Sequence, residues 1–459
     1  MHALDPRRGI ATYQRIRRGG NVGASPPTLL AAGFLSLITI GTVLLVLPAA
    51  GAVRGLSLFE AFFTATAAVT VTSLTIVEPQ QLSLFGQWVV LILIQIGGLG
   101  FVTFAVVSAI TLGHRMSLRQ QTLALEAFNQ TSTARLRSTA VSVLRITVVI
   151  EVAAMLLLFL WWWGSGRMPA AQALYNAVFH AITAFNNAGY SLFEGSLQAF
   201  VSDTATIGIL SIVVILGGLG FPVVVDVIRK RRWSGLQPYV RLMIISGLTL
   251  HIAAFLAFWL LEAHNPRTLG ALAWADQARA AWMQSVSMRT AGFSTFDMSA
   301  IDDSTALLAA VLMFIGGGSM STAGGIKLGT FVVIMAAVFA FVTQRREVVL
   351  MHRTLAPEMV QKSLAVVVVT VLTAVFALLV LTVLEDVAFI SLLLEVMAAL
   401  STAGLSQALT HQLSTASQCV LLVLMFMGRV GPLTLVYSLA TRNRARTRIR
   451  YPEMEFQVG

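Results

Sequence analysis

Four polar tetrapeptides recur along a chain that is otherwise strongly apolar. Each follows a short amphipathic segment and precedes a long apolar run. If the four surround one axis, their backbone carbonyl oxygens can replace the hydration shell of an ion, and no cluster of Asp or Glu at the tetrapeptides would suit Ca²⁺ or Mg²⁺. The pattern therefore predicts the binding of a dehydrated monovalent cation. The tetrapeptides are VTSL at 71–74, NAGY at 187–190, TAGF at 290–293 and TAGL at 402–405.

Glycine stands third in three of the tetrapeptides, and Ser73 takes this place in the first. Glycine suits a strand that needs positive φ angles, so Ser73 either bears strain or lets its strand rotate slightly. One such glycine alone would be explained by an ordinary helix C-terminus, but four copies at matched positions favour the ion site. The predicted ion-binding residues are Thr70, Val71, Thr72, Ser73, Asn187, Ala188, Gly189, Thr290, Ala291, Gly292, Thr402, Ala403 and Gly404.

The composition indicates a polytopic membrane protein. Of the 459 residues, 57% are hydrophobic and 11% are charged, and the mean hydropathy is +0.81; soluble domains of this length do not show such values. The net charge of +11 does not indicate nucleic-acid binding, because 24 of the 31 Lys and Arg residues lie in five blocks between or beyond the apolar runs. Acids collect on the alternate connections, which predicts an inner-membrane protein with the basic blocks and both termini in the cytoplasm.

Eight apolar segments are long enough to cross the ~30 Å hydrocarbon core of a bilayer. We interpret the first as an uncleaved helix rather than a signal peptide, because its length fits a full span. The sixth has 39 residues, too many for one span, and its glycine-rich centre GGGSMSTAGGIK (316–327) predicts a break. The segments are 28–49, 88–112, 138–163, 205–228, 240–261, 305–343, 363–384 and 415–441.

The order span, short helix, polar strand, span occurs four times. The short helices are predicted at 56–71, 171–186, 277–290 and 389–402. A glycine motif follows the third tetrapeptide residue by 24, 28, 24 and 24 residues, at Gly97, Gly217, Gly316 and Gly428. The predicted fold is an all-α polytopic membrane protein with four span–pore-helix–span repeats around one pseudo-fourfold central pore. Its predicted parts are a cytoplasmic segment 1–27, repeats 28–112, 138–232, 238–346 and 361–441, and a cytoplasmic tail 442–459.

The sequence resembles the Trk/Ktr/HKT superfamily of potassium transporters, and most closely its bacterial KtrB/TrkH membrane subunits. The resemblance extends over 28–441 and is carried by FNNAGYS (185–191), RTAGFST (289–295), STAGLS (401–406), STAGGIK (321–327) and GRVGPLT (428–434). It implies a pore within one subunit, a homodimer in the lipid bilayer, K⁺ as the transported ion, and a cytoplasmic ring of nucleotide-binding RCK regulatory subunits. We expect no covalently bound cofactor and no nucleic acid.

The first tetrapeptide departs from the pattern of this family. All-glycine filters in the family go with potassium selectivity, whereas plant members with serine in the first repeat tend to conduct sodium. Ser73 therefore implies potassium uptake with some passage of Na⁺, and a sodium-selective HKT-like transporter is the alternative.

The resemblance also implies that the broken third-repeat span forms a loop that gates the pore below the filter. Lys327 is either a cation that lines the inner pore or a side chain that snorkels to the interface. Arg429 lies in an apolar span, where a charge is costly and usually faces the interior; it is either a barrier beside the gate, paired with loop carbonyls, or part of a structural ion pair. The predicted gate residues are Gly316, Gly317, Gly318, Ser319, Ser321, Thr322, Gly324, Gly325, Lys327 and Arg429.

Other polar residues near the tetrapeptides are predicted to support them. We expect Arg289 to turn away from the filter and to brace its short helix against an outer acid. Asn186 and Asn187 either line the pore or brace neighbouring strands. Glu60 and Glu395 are candidates to accept hydrogen bonds from strand N–H groups.

The spans offer neither a pair of Asp residues nor a Ser–His pair at facing depths, so an intramembrane enzyme is disfavoured. A secondary transporter with inverted repeats is disfavoured because every unit runs in the same direction. His180 is expected to be a packing residue, and Cys419, the single cysteine, forms no intrachain disulfide.

Overall fold

The computed structural model describes residues 26–100 and 133–431. This part of the chain contains fourteen α-helices and one antiparallel hairpin of two short strands. The predicted cytoplasmic ends up to residue 25 and from residue 442, residues 101–112 of the predicted span 88–112 and residues 432–441 of the predicted span 415–441 lie outside it. The helices are α1 (Pro26–Val46), α2 (Leu58–Thr70), α3 (Leu84–Gly98), α4 (Thr133–Gly164), α5 (Ala170–Phe185), α6 (Thr204–Gly218), α7 (Phe221–Lys230), α8 (Pro238–Glu262), α9 (Trp274–Ser287), α10 (Asp303–Phe314), α11 (Leu328–Val342), α12 (Pro357–Leu384), α13 (Phe389–Leu400) and α14 (Thr415–Val430), and the strands are β1 (Val349–Leu350) and β2 (Arg353–Thr354).

The helices follow one order four times. Each unit has a first helix, a short helix that leads into a tetrapeptide, and a second helix, which is described only up to Gly98 in unit one and Val430 in unit four and is broken in units two and three. The units are α1–α3, α4–α7, α8–α11 and α12–α14. The four short helices, α2, α5, α9 and α13, agree with the four predicted amphipathic segments to within a few residues.

The units pack in a closed order. Helix α3 packs against α5, α6 against α9, α10 against α13, and α14 against α2. The second helix of each unit therefore lies against the short helix of the next unit, and the last unit returns to the first. This cyclic packing brings the C-terminal ends of the four short helices together.

Within residues 26–100 and 133–431, three helices, α4, α8 and α12, are long and apolar enough to cross a membrane, and α6 with α7 makes a fourth if the bent pair is one span. Their outer faces expose large apolar side chains; on α12, Phe376 is 70% exposed and Val383 86%. Side chains of this kind suit contact with lipid, since the bilayer core solvates apolar surface and every helical backbone group is satisfied internally.

The second helix of unit two is bent within the predicted apolar segment 205–228, and this bend was not predicted. Helices α6 and α7 meet at 105° across Leu219 and Gly220. Gly220 has φ +98°, and Pro222 at the start of α7 lacks the N–H that a continuing helix would use. The Phe221 N–H instead donates to the Met320 carbonyl at 3.0 Å.

The predicted break in the sixth apolar segment is confirmed. Helix α10 ends at Phe314 and α11 begins at Leu328. We call the intervening residues 315–327 the broken-span loop. Five of its thirteen residues, among them Gly316 and Gly325, are glycine, which has a low helix propensity.

Candidate ion-binding site

The four tetrapeptide segments share an unusual backbone conformation. In each of them the first and the third residue have positive φ angles. Non-glycine residues rarely adopt such angles, because the Cβ then approaches the following carbonyl. The values are Val71 +60° and Ser73 +53°, Asn187 +54° and Gly189 +66°, Thr290 +70° and Gly292 +81°, and Thr402 +48° and Gly404 +72°. Ser73 thus adopts the conformation of the three glycines and bears the strain.

The caps of the short helices set the start of each segment. In the first segment the Thr72 N–H donates to the Ala67 carbonyl, five residues back, at 2.9 Å. Ala188 and Ala403 make the same bond, each at 2.8 Å, in the second and fourth segments. This is the Schellman pattern, with a left-handed residue after the helix. The third segment differs, because Ala291 donates to Ser287, four residues back, at 2.9 Å.

The third residues of the four segments lie together. A Cβ added to Gly189 would be 2.6 Å from Gly292 Cα, and one added to Gly292 would be 2.5 Å from the Ser73 hydroxyl and 2.9 Å from the Ala403 carbonyl oxygen. A Cβ on Gly404 would be 1.8 Å from the Thr72 carbonyl oxygen. Only glycine therefore fits at these three positions. The Ser73 Oγ is buried here without a hydrogen-bond partner.

A cavity of about 280 Å³ opens onto this meeting point, and Ser73 and the three glycines form part of its lining. The carboxylates of Glu78 and Asp297 belong to the same lining. A wall that combines carboxylates with polar backbone attracts cations. Within the described residues no group of three or more His, Cys, Asp or Glu side chains could hold a metal ion.

The broken-span loop has a narrow neck. Ile315 and Ile326 form a parallel bridge, and the Gly316 N–H donates to the Ile326 carbonyl at 2.9 Å. The Leu328 N–H closes the neck further by donating to the Gly317 carbonyl at 2.8 Å. A Cβ on Gly316 would lie 1.8 Å from the Gly324 carbonyl oxygen, so the two limbs touch.

The remainder of the loop packs directly against the tetrapeptide segments. The Gly318 N–H donates to the Gly218 carbonyl at 2.8 Å, beside the bend between α6 and α7. The Thr322 hydroxyl donates to the Phe185 carbonyl at 3.1 Å and contacts the Asn187 side chain at 3.1 Å. On the other side, a Cβ on Gly324 would lie 2.1 Å from the Thr402 hydroxyl. The loop therefore contacts the starts of the second and fourth segments.

Arg429 ties this loop to the first unit. Its Nη1 donates to the Thr322 carbonyl at 2.5 Å, and its Nη2 donates to the carbonyls of Gly97 and Gly98 at 2.7 and 2.8 Å. Among the described residues no carboxylate pairs with Arg429, so its partners are backbone carbonyls. Lys327 folds back onto the loop, where its Nζ donates to the Ala323 carbonyl at 2.7 Å.

Asn186 braces the second segment and does not line the cavity. Its amide nitrogen donates to Gln95 Oε1 at 2.7 Å and approaches Glu151 Oε1 at 3.4 Å. Gln95 in turn donates to Glu151 Oε2 at 3.1 Å. Sequence reasoning missed Glu151, although a lone acid within the apolar span 138–163 was a usable signal.

Two acids, Glu60 and Glu395, accept hydrogen bonds from groups other than the predicted ones. Glu60 lies at the end of α2 remote from the tetrapeptide, where it accepts from Arg54 and from the Ser57 N–H; the hydrogen bond from Arg54 lowers the pKa of Glu60 to about 2. Glu395 accepts from the hydroxyls of Ser406 and Thr410. The hypothesis that either acid accepts from strand N–H groups is therefore wrong.

His180 packs as predicted and also makes two hydrogen bonds. Its ring is fully buried and stacks on Phe193 with centroids 4.5 Å apart. Nδ1 lies 2.8 Å from the Asn176 carbonyl, which can only accept, so Nδ1 carries a proton. In the neutral ring, Nε2 then accepts from the Ser191 hydroxyl at 3.0 Å, just beyond the second segment.

Arg289 turns away from the filter, but it does not meet an outer acid. Its Nη1 lies 2.9 Å from His251 Nε2, and its Nη2 donates to the Gly316 carbonyl at 3.0 Å. The expected partner was wrong because the residue before the third segment faces the broken-span loop.

Cyclically packed helices with apolar outer faces that suit lipid are typical of a multi-span membrane protein. The chain belongs to the TrkH cation transport protein family, whose model matches residues 27–443. The predicted resemblance is thereby confirmed.

Individual relatives agree over nearly the whole chain. It is 39% identical over 437 residues to the Ktr system potassium uptake protein B of Bacillus subtilis (strain 168), which covers 95% of this chain and 97% of the relative. It is 32% identical over 445 residues to the potassium/sodium uptake protein NtpJ of Enterococcus hirae, with 95% and 97% covered. The crystal structure of the potassium transporter TrkH from Vibrio parahaemolyticus has a similar fold, with a TM-score of 0.68 at 20% identity over 90% of this chain and 85% of that one.

Proposed function

We propose that this protein is a channel-like transporter that mediates potassium uptake across the cytoplasmic membrane. The observation that carries the proposal is the positive φ angle at the first and third residue of all four tetrapeptide segments, which meet at one cavity. A segment whose φ angles alternate in sign can direct successive carbonyl oxygens to one axis. There these oxygens replace the hydration shell of K⁺. The similarity to a potassium uptake protein B supports this choice of ion.

The short helices contribute a second attraction for a cation. Each of the four ends at a tetrapeptide, so the negative end of its dipole lies at the proposed filter. Glu78 and Asp297 raise the local concentration of cations at its entrance. Inward flow needs no chemical reaction, because the membrane potential supplies about 2.3 kcal/mol per charge per 100 mV.

The broken-span loop is the proposed gate. It lies under the second and fourth segments, and Arg429 holds it to Gly97 and Gly98 of the first unit. A guanidinium below a cation filter repels a descending cation, while its hydrogen bonds fix the loop across the path. Moving the loop would require these bonds to Arg429 to break.

Sodium is the second candidate ion, and Ser73 is the observation that favours it. Its side chain places a Cβ and a hydroxyl beside Gly292 and Gly404, where the other segments have none. We propose that K⁺ is transported and that Na⁺ passes more readily than through four glycines; a sodium-selective HKT-like transporter is the alternative. NtpJ, the relative named as a potassium/sodium uptake protein, is consistent with passage of both ions.

The wider assembly is also a proposal, which the family supports. We propose a homodimer in the cell membrane, each chain with four repeats at 28–112, 138–232, 238–346 and 361–441 around its own pore. Both termini would face the cytoplasm, where the basic blocks of the sequence would meet a ring of nucleotide-binding RCK-type subunits.

The test is ion uptake by the purified protein in liposomes. Vesicles loaded with unlabelled K⁺ are diluted into ⁸⁶Rb⁺ or ²²Na⁺, and protein-free vesicles serve as the blank. We expect concentrative uptake of ⁸⁶Rb⁺ that exceeds uptake of ²²Na⁺. Faster uptake of ²²Na⁺ would favour the sodium-selective alternative, and no uptake of either ion by folded protein would refute the proposal.

A further inference from the structure

Arg289 is a buried cation without a carboxylate partner in the described part of the chain. Its residue is only 7% exposed, and none of the ion pairs found within 26–100 and 133–431 includes it. A buried charge of this kind costs free energy that an apolar side chain of similar volume would avoid. Because of this cost, we expect the Arg289 side chain to have a role beyond packing.

The guanidinium connects three elements. It lies 2.9 Å from His251 Nε2 on α8, 3.5 Å from the Gly247 carbonyl oxygen on the same helix, and 3.0 Å from the Gly316 carbonyl oxygen at the neck of the broken-span loop. Its own backbone directly precedes Thr290, the first residue of the third tetrapeptide. A single side chain thus joins that segment to the loop.

The third segment also has a different helix cap. In the other three, the second residue donates to the carbonyl five residues back at 2.8–2.9 Å, whereas Ala291 donates to Ser287, four residues back, at 2.9 Å, and Gly292 reaches the same carbonyl at 3.4 Å. The backbone therefore leaves this helix by a different turn, and the Arg289 side chain anchors the residue directly before it.

The loop is held at two places by two arginines. Arg289 binds the neck, which the bridge between Ile315 and Ile326 closes, while Arg429 binds Thr322 near the far end. A closed neck resists change more than the half-buried residues 319–321 beyond it. An opening of the loop would therefore move its far end and leave the neck in place.

We propose that Arg289 is a positioning residue that couples the third tetrapeptide segment to the neck of the broken-span loop, so that one side chain sets both the ion preference of the filter and the closure of the gate. The inference rests on the proposed function. A side chain that only packs would affect stability, whereas this coupling links two properties that are measured separately.

The test uses a parent protein with Cys419→Ser and Ser321→Cys. The buried Ser321 hydroxyl has no hydrogen-bond partner, so a cysteine there loses no bond and is shielded while the loop stays closed. Arg289→Lys is then introduced, because an ammonium keeps the charge but cannot reproduce the planar fork that reaches two partners. Arg279→Lys on the same short helix α9, where Arg279 binds Asp276 and the Val201 carbonyl, is the matched control.

Two readouts are compared in liposomes: the ratio of ⁸⁶Rb⁺ to ²²Na⁺ uptake, and the rate at which a thiol reagent labels Ser321→Cys. Loss of one such hydrogen bond predicts that Arg289→Lys lowers the ratio and raises the labelling rate, each by about two- to tenfold, while Arg279→Lys changes neither. If Arg289→Lys does not yield folded protein, His251→Leu, which removes the acceptor that orients the guanidinium, should shift both readouts in the same directions.

A change in only one readout, or in neither, would overturn the coupling. Folded wild-type protein that carries no ⁸⁶Rb⁺ would refute the proposed function itself, before any change at Arg289 is compared. The two failures are therefore distinct.

Discussion

The hydroxyl oxygen of Ser73 occupies the space that a side chain on Gly404 would need: a Cβ built on that glycine would lie only 1.9 Å from it. Ser73 also holds a φ angle of +53°, which costs a non-glycine residue about 1–2 kcal/mol. The first segment therefore keeps the backbone of the other three and adds a strained side chain at their meeting point. Ion preference is the property that such an asymmetry would change.

Replacing Ser73 by glycine should raise the potassium-to-sodium flux ratio several-fold without harming assembly. Removal of the Cβ relieves strain and restores the near-symmetry of the site, and a change of ~1.4 kcal/mol between two ions alters their ratio tenfold. The measurement is paired uptake of ⁸⁶Rb⁺ and ²²Na⁺ in liposomes.

Ser73→Ala is the matched variant, because it removes the hydroxyl but keeps the Cβ and the strained φ angle. A ratio that rises in both variants assigns the effect to the hydroxyl, and a rise in Ser73→Gly alone assigns it to the Cβ. Equal ratios in wild type and Ser73→Gly would show that serine is simply tolerated.

Gly404→Ala should abolish selective uptake. The new Cβ would meet the Thr72 carbonyl oxygen at 1.8 Å, and φ is +72° at this position, so the first and fourth segments must move apart. Gly208→Ala on α6 is the control, because nothing lies within 4 Å of its added Cβ. The measurement is the uptake of ⁸⁶Rb⁺ and ²²Na⁺ by the two purified variants; normal selectivity in Gly404→Ala would exclude this glycine from the filter.

The sequence predicted those features that depend on local backbone chemistry. The positions of Gly189, Gly292 and Gly404 required positive φ angles, and the glycine-rich run at 316–327 could not continue a helix; both expectations agree with the structure. The repetition of these signals identified the residues that meet, because a symmetrical arrangement places equivalent positions together.

Contacts between distant segments could not be predicted in the same way. Gly220 and Pro222 were local signals for a break, but the direction of the bend depends on a hydrogen bond from Phe221 to Met320, a hundred residues later. The direction of Arg289 was likewise fixed by Gly316 and His251, and a side-chain direction of this kind has no local signature.

Arg429→Ala should raise the uptake rate while the preference among cations stays nearly unchanged. The substitution removes a charge from the proposed path and the hydrogen bonds that hold Thr322 to Gly97 and Gly98. A barrier lowered by ~1.4 kcal/mol would speed flux about tenfold. Initial rates of ⁸⁶Rb⁺ uptake at equal protein content provide the measurement.

Arg429→Lys is the control for this substitution. A lysine keeps the charge but cannot bridge Thr322 and the two glycines at once, so its rate should lie between those of the wild type and Arg429→Ala. If Arg429→Ala fails to fold, or if it folds and takes up ⁸⁶Rb⁺ at the wild-type rate, Arg429 has a structural role alone.

Removing residues 319–322 should leave the filter intact but make transport fast and independent of any regulatory partner. The deletion is feasible because a Cβ on Gly317 would lie 2.6 Å from the Ala323 Cβ, so Gly318 can be joined to Ala323 while the bridge between Ile315 and Ile326 remains. The deleted part includes Thr322, whose carbonyl binds Arg429, so the loop loses its hydrogen bond to Arg429 and thereby its connection to the first unit.

Ser321→Ala, which removes only an unpartnered hydroxyl, is the control for the deletion and should transport at the wild-type rate. Uptake of ⁸⁶Rb⁺ is measured beside size-exclusion chromatography of each variant; if the deleted protein assembles normally yet carries no ion, the loop is needed for conduction and is not a gate.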